Sequence, residues 1–165
     1  MTELLNTAEI AFELFSALKA NNYTFCSAES CTGGNIGKVM TDMSGVSSVY
    51  LGSVCAYANE IKQKILSVSP DTLEKFGAVS EQTAYELAKN VKEKFSSDLS
   101  VSTTGIAGPT GDTPTKPVGL VYIGVAFEDK VSVKRYVFSG DRATVRNNAT
   151  YQALSDALEI ITSKK

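Results

Sequence analysis

The stretch Ser27-Ala28-Glu29-Ser30-Cys31-Thr32-Gly33-Gly34 constrains this chain more than any other. A short apolar run, Tyr23 to Cys26, leads into it, and a helix-like run, Asn35 to Met43, leads out. That order reads as strand, tight turn and helix. Such a turn presents side chains at a sheet edge and aims backbone N–H groups at whatever sits there. Ser30 is its candidate nucleophile, and the amides of Thr32, Gly33 and Gly34 are candidates to bind an anion or an oxyanion. A capped helix after a strand needs the same small polar residues, so the turn alone supports either reading. Cys31 is a competing nucleophile, although a small semi-buried thiol is the commoner role.

The absence of histidine narrows the chemistry. It removes Ser-His-Asp and Cys-His catalysis and His-ligated metal sites, leaving lysine as the usual substitute base. The formal net charge of -2 supplies no basic field for nucleic acid. The longest apolar stretch, Val118 to Phe127, is too short to span a bilayer. Met1 to Leu5 lacks the positive start of a signal peptide, and three cysteines without metal-like spacing suit a reducing compartment. The expectation is a cytoplasmic protein, single-domain over 1-165, with no metal or cofactor and no nucleic-acid or membrane partner.

Read in order, residues 3 to 20 predict a helix whose apolar row is Leu4, Ala8, Ala11, Phe12, Phe15 and Leu18. A strand covers Tyr23 to Ser27, a helix Gly34 to Met43 and a strand Val49 to Tyr57. Helices follow at Asn59 to Leu66 and, with Ser69 as cap and Pro70 first, to about Phe76. Ser80 caps a helix over Glu81 to Phe95 with Ala84, Leu87, Ala88, Val91 and Phe95 on one face. Asp98 to Thr104 is a strand, Gly105 to Pro117 a loop, and Val118 to Phe127 with Lys130 to Phe138 a hairpin. A last helix runs from Asp141 to about Ile161, burying Val145, Ala149, Ala153, Leu154, Ala157, Leu158 and Ile161. This alternation predicts an α/β fold, a three-layer α/β/α sandwich with a mixed, mostly parallel sheet.

Three further constellations complete a candidate site. In Tyr57-Ala58-Asn59-Glu60-Ile61-Lys62, a strand end bends into a helix, so Lys62 reaches Ser30 if that strand lies beside the first turn. Tyr57 would then relay a proton or keep the amine neutral, while a solvated lysine and a half-buried tyrosine account for the same residues. Thr104-Gly105-Ile106-Ala107-Gly108-Pro109 ends a strand in a loop without large side chains, as a closely approached ligand requires. Arg142 and Arg146, two of only three arginines, lie four apart at a helix start. The helix dipole disfavours them there, so a phosphate partner or an acidic partner elsewhere is needed.

These blocks, with Gly77-Ala78-Val79-Ser80, Lys116-Pro117-Val118-Gly119 and Gly140-Asp141-Arg142, resemble the CinA C-terminal domain family. The match runs in the family's order from about residue 5 to 160. The resemblance implies a stand-alone nicotinamide-nucleotide amidase that hydrolyses the carboxamide of nicotinamide mononucleotide (NMN) to nicotinate mononucleotide and ammonia, in pyridine nucleotide salvage. It implies Ser30, Lys62 and Tyr57 as catalytic residues. Substrate contacts would come from Thr32, Gly33, Gly34, Asn59, Thr104, Gly105, Ala107, Gly108 and Arg142 or Arg146, in a homo-oligomer. Family members carry hydroxyls beside the tyrosine where Ala56 and Ala58 stand here. A nucleotide-binding module without turnover, or an amidase for another small carboxamide, needs much of the same inventory.

Overall fold

The computed structural model describes residues 5–163. Strands β1 (Phe25–Glu29), β2 (Tyr50–Cys55), β3 (Leu99–Gly105), β4 (Leu120–Phe127) and β5 (Lys130–Val137) form one sheet in the order β2-β1-β3-β4-β5. The helices are α1 (Thr7–Asn21), α2 (Asn35–Thr41), α3 (Asn59–Leu66), α4 (Pro70–Phe76), α5 (Glu81–Phe95) and α6 (Arg142–Thr162). α1, α2 and α6 pack with one face of the sheet through Leu14, Leu18, Ile36, Val101, Ile123, Ala149 and Ala153. α3, α4 and α5 cover part of the other, where Cys26 and Ala28 meet Leu66, Leu73, Leu87 and Val91. The three-layer expectation therefore holds.

"Mostly parallel" needs refinement. β1 pairs with β2 and β3 in parallel, whereas the β3–β4 and β4–β5 pairs are antiparallel. Four strands point the same way, yet the pairings divide evenly because the hairpin extends the sheet at one edge. The chain leaves β1 for β2 on one side and later returns to β3 on the other. The carboxyl end of β1 is thus the place where strand order reverses, where open α/β sheets form a crevice.

Local chemistry explains most element ends. Asn22 ends α1 in the left-handed conformation, the Ser80 hydroxyl accepts from the Thr83 amide, and Asp141 does the same for Thr144. Ser69 precedes Pro70 as expected, but its side chain makes no cap; Glu86 instead accepts from the Ser69 amide and the Thr72 hydroxyl. The inward face of α1 differs from expectation. Ile10, Ala11, Leu14 and Leu18 are buried, and Phe12 is 60% exposed. α1 carries two overlapping apolar rows, and α6, packed beside it, presents Ala149, Ala153 and Ala157 to the same core. Residue 3 and Leu4, assigned to this helix from sequence, lie outside the described residues. Among the described residues no helix is long and apolar enough to cross a membrane.

Candidate active site

β1 runs through Glu29, two residues past the strand end expected at Ser27, so the turn proper is Ser30 to Gly34. Alternation along β1 sends Cys26 and Ala28 toward α5, and Phe25, Ser27 and Glu29 toward α2. Glu29 is 1% exposed, yet its carboxylate is fully engaged. Oε2 accepts from the Thr32 hydroxyl at 2.7 Å and from the Gly34 and Ile36 amides at 2.9 and 3.1 Å. Oε1 accepts from the Gly37 amide at 3.0 Å and the Ser53 hydroxyl at 2.9 Å. The first turn of α2 leaves unpaired amides that favour an anion, and Glu29 is that anion. The Thr32 hydroxyl spends its proton on Glu29 and so accepts from Thr103 Oγ1, 2.8 Å away.

Ser30 follows, its amide fixed by Thr103 O at 3.0 Å. Lys62 reaches it from α3. The Ala56 amide bonds to Glu29 O at 2.9 Å, which ties the end of β2 to the end of β1 just before the bend into α3. Lys62 lies on the inward face of α3 with Leu66 and is 1% exposed. Its Nζ is 2.9 Å from Ser30 Oγ, 2.8 Å from Ala56 O and 2.9 Å from Tyr57 O. Burial pushes the amine down from 10.5 to about 8. A neutral amine has two N–H groups and one lone pair. The two carbonyls take the N–H groups, and the lone pair is left facing the Ser30 hydroxyl. Burial pushes the neighbouring Cys31 thiol up to about 12, so the thiolate that a cysteine nucleophile needs is not formed near neutral pH.

Ser30 and Lys62 open onto a cleft of about 330 Å³ whose wall includes Cys31, Tyr57, Asn59, Thr104 and Arg142. That is within the range of small-molecule sites. Gly105 to Gly108, Ala78 and Val79 complete it, together with Thr110 and Gly111. The Thr104 hydroxyl donates to Ala78 O at 2.6 Å and so fixes the opposite wall. Gly105 is required by close approach, since a Cβ there would come within 2.6 Å of Leu120 O. Arg142 donates to Gly108 O at 2.9 Å and to the Tyr57 hydroxyl at 3.0 Å, bridging the cleft mouth.

The structure thus brings together Ser30, Lys62, Tyr57, Asn59, Thr104, Gly105, Ala107, Gly108 and Arg142. Three expectations are corrected. Tyr57 supplies its carbonyl to Lys62, but its side chain is 62% exposed and its hydroxyl lies on Arg142, so Lys62 reaches Ser30 without a tyrosine relay. Thr32, Gly33 and Gly34 do not line the cleft, because Glu29 takes the Thr32 hydroxyl and the Gly34 amide, and Gly33 donates to Ser30 O. Arg146 lies behind the turn, donating to Cys31 O at 3.1 Å and Thr32 O at 2.9 Å, where it cannot meet a ligand in the cleft. Glu29 is the residue that sequence reasoning missed. Its place at the strand end, next to the serine and one short turn ahead of a helix start, was the available signal.

Fold and site together define an α/β domain with a serine–lysine pair at the switch point of its sheet. The chain belongs to the CinA C-terminal domain family, whose model matches residues 7–161. It is 50% identical over 137 residues to a putative competence-damage inducible protein of Thermoanaerobacter pseudethanolicus, a match covering 83% of this chain and 33% of the relative. It is 48% identical over 139 residues to a CinA-like protein of Thermotoga neapolitana, covering 84% and 34%. The chain therefore spans about a third of the length of these relatives. The crystal structure of competence damage-inducible protein A from Klebsiella pneumoniae superposes with a TM-score of 0.94 at 30% identity, covering 98% of this chain and all of that one. A competence/damage inducible protein from Agrobacterium tumefaciens gives 0.91 at 31% identity, covering 98% and 99%.

Proposed function

We propose that this protein hydrolyses the carboxamide of nicotinamide mononucleotide, with Ser30 as nucleophile and Lys62 as base. One observation carries the reading: a buried lysine, its Nζ against two main-chain carbonyls, aims its remaining hydrogen-bonding position at a serine hydroxyl 2.9 Å away. Lys62 takes the Ser30 proton as Oγ bonds to the carboxamide carbon. The Ala107 and Gly108 amides, in the cleft wall, stand as donors to the oxyanion, and one such donor is worth roughly 3 kcal/mol in related acyl transfers. Protonated Lys62 then gives its proton to the leaving nitrogen, the C–N bond breaks, and ammonia departs. Water, deprotonated by the neutral amine, cleaves the Ser30 ester and releases nicotinate mononucleotide. Arg142, held by Gly108 O and the Tyr57 hydroxyl at the cleft mouth, is the cation for the 5′-phosphate.

Purified protein incubated with NMN is expected to form ammonia and nicotinate mononucleotide in equal amounts, and Ser30→Ala is expected to form neither. Binding of NMN by calorimetry without either product would instead make the domain a nucleotide-binding module. Turnover of other small carboxamides but not NMN would make it an amidase of different specificity.

A further inference from the structure

We propose that Glu29 and Arg146 are positioning residues that hold the Ser30 turn in its attacking shape from opposite sides, an inference that rests on Ser30 being the nucleophile. A tight turn between strand and helix exposes two sets of main-chain groups, the amides entering the helix and the carbonyls of the turn. Each set here meets one charge. The Glu29 carboxylate gathers the Gly34, Ile36 and Gly37 amides, and the Thr32 hydroxyl with them. The Arg146 guanidinium gathers the Cys31 and Thr32 carbonyls, reaching across from α6. Neither residue lines the cleft.

Gly33 records the fit independently. It adopts φ +59°, and a Cβ there would stand 3.0 Å from Arg146 Nη2, closer than most side chains tolerate. The missing side chain makes room for the guanidinium. The arrangement also accounts for an arginine near the start of a helix, where the dipole opposes it: two carbonyl acceptors offset the cost. Ser30 itself is fixed by Thr103 O at its amide and by Lys62 at its hydroxyl. Ser30 O accepts from the Gly33 amide, so a rotation of the Cys31 and Thr32 peptides, which Arg146 holds, would carry Ser30 with it and swing Oγ off line. Displacement of a reacting atom by about 1 Å costs on the order of 100-fold in rate.

The test combines turnover with a probe that does not involve NMN. Phenylmethylsulfonyl fluoride sulfonylates an activated serine, with Oγ displacing fluoride, and the adduct is read as a gain in intact mass. Wild type is expected to label and Ser30→Ala not to. Glu29→Gln and Arg146→Met are expected to label at least tenfold more slowly. Their kcat for NMN is expected to fall by a similar factor while KM stays within twofold, and Arg146→Lys to recover part of the loss. Because both residues hold one turn, the double variant is expected to lose less than the product of the single losses. Gly33→Ala, which keeps both charges and crowds the guanidinium, is expected to behave as a milder Arg146→Met and serves if either charge variant fails to fold. Labelling of Glu29→Gln, Arg146→Met and Gly33→Ala at the wild-type rate overturns the proposal, as does a raised KM with kcat unchanged in Arg146→Met, which would make that arginine a substrate ligand. Wild type that does not label at Ser30 removes the nucleophile assignment, and this proposal falls with it.

Discussion

Lys62 Nζ stands 2.9 Å from Ser30 Oγ although 32 residues separate the two in sequence. The contact exists because the ends of β1 and β2 are tied by the Ala56 amide on Glu29 O, and because α3 turns back over that join. The lysine's own upstream carbonyls, Ala56 and Tyr57, occupy its other hydrogen-bonding directions. Burial lowers the amine's pKa to about 8, so a useful fraction is neutral near physiological pH in a chain that has no histidine.

Activity should follow the lysine. The base is the neutral amine, and burial holds its pKa near 8. The kcat/KM for NMN is expected to rise about tenfold per pH unit below 8 and to level off above it. A pH–rate profile checks this, and a rate that falls on going from pH 7 to pH 9 would contradict it.

Stability should carry the opposite side of the same shift. Between pH 8 and 10.5 the unfolded chain holds a proton on Lys62 that the folded chain has lost. Stability therefore rises with pH through this window. The depression from 10.5 to about 8 corresponds to about 3 kcal/mol of burial cost at neutral pH, relieved by pH 10.5. Lys62→Met removes the titrating group. Urea unfolding at pH 7 and pH 10.5 is expected to show wild type gaining about 3 kcal/mol relative to Lys62→Met over that interval. An unchanged difference would mean that the amine is not desolvated.

The two arginines should separate by substrate. Arg142 lies at the cleft and Arg146 behind the turn. Arg142→Met is expected to raise KM for NMN at least tenfold and to shrink the preference for NMN over its dephosphorylated riboside. Steady-state kinetics with both substrates measure that preference. If Arg142→Met keeps it intact, the phosphate is held elsewhere.

Much of this architecture was legible from the chain. Helices α3 to α6 begin and end within a residue of where caps, prolines and apolar periods set them, because those signals are local. Ser30 stood out at its strand–turn–helix junction and the Thr104 loop by its small residues at a strand end, while Lys62 stood out because the absence of histidine leaves few residues able to do base chemistry. The Glu29 network was not legible, since its partners include Ser53, 24 residues away, and it depends on how α2 sits over β1 and β2. The two arginines looked equivalent because four residues return to the same helical face. One turn of helix, about 5.4 Å, carries the side chain from the cleft mouth to the underside of the Ser30 turn. The inward face of α1 failed for a related reason: its two apolar rows differ only in which one meets α6.

The most direct test is the turnover of NMN by Ser30→Ala, Lys62→Met and the double variant, measured as ammonia released under saturating substrate. A nucleophile and its base act as one unit, so each single substitution is expected to lower kcat by about 1,000-fold or more and the double substitution to be no worse than the poorer single. Losses that multiply in the double variant, or a Ser30→Ala protein that turns over like wild type, would contradict the serine–lysine account.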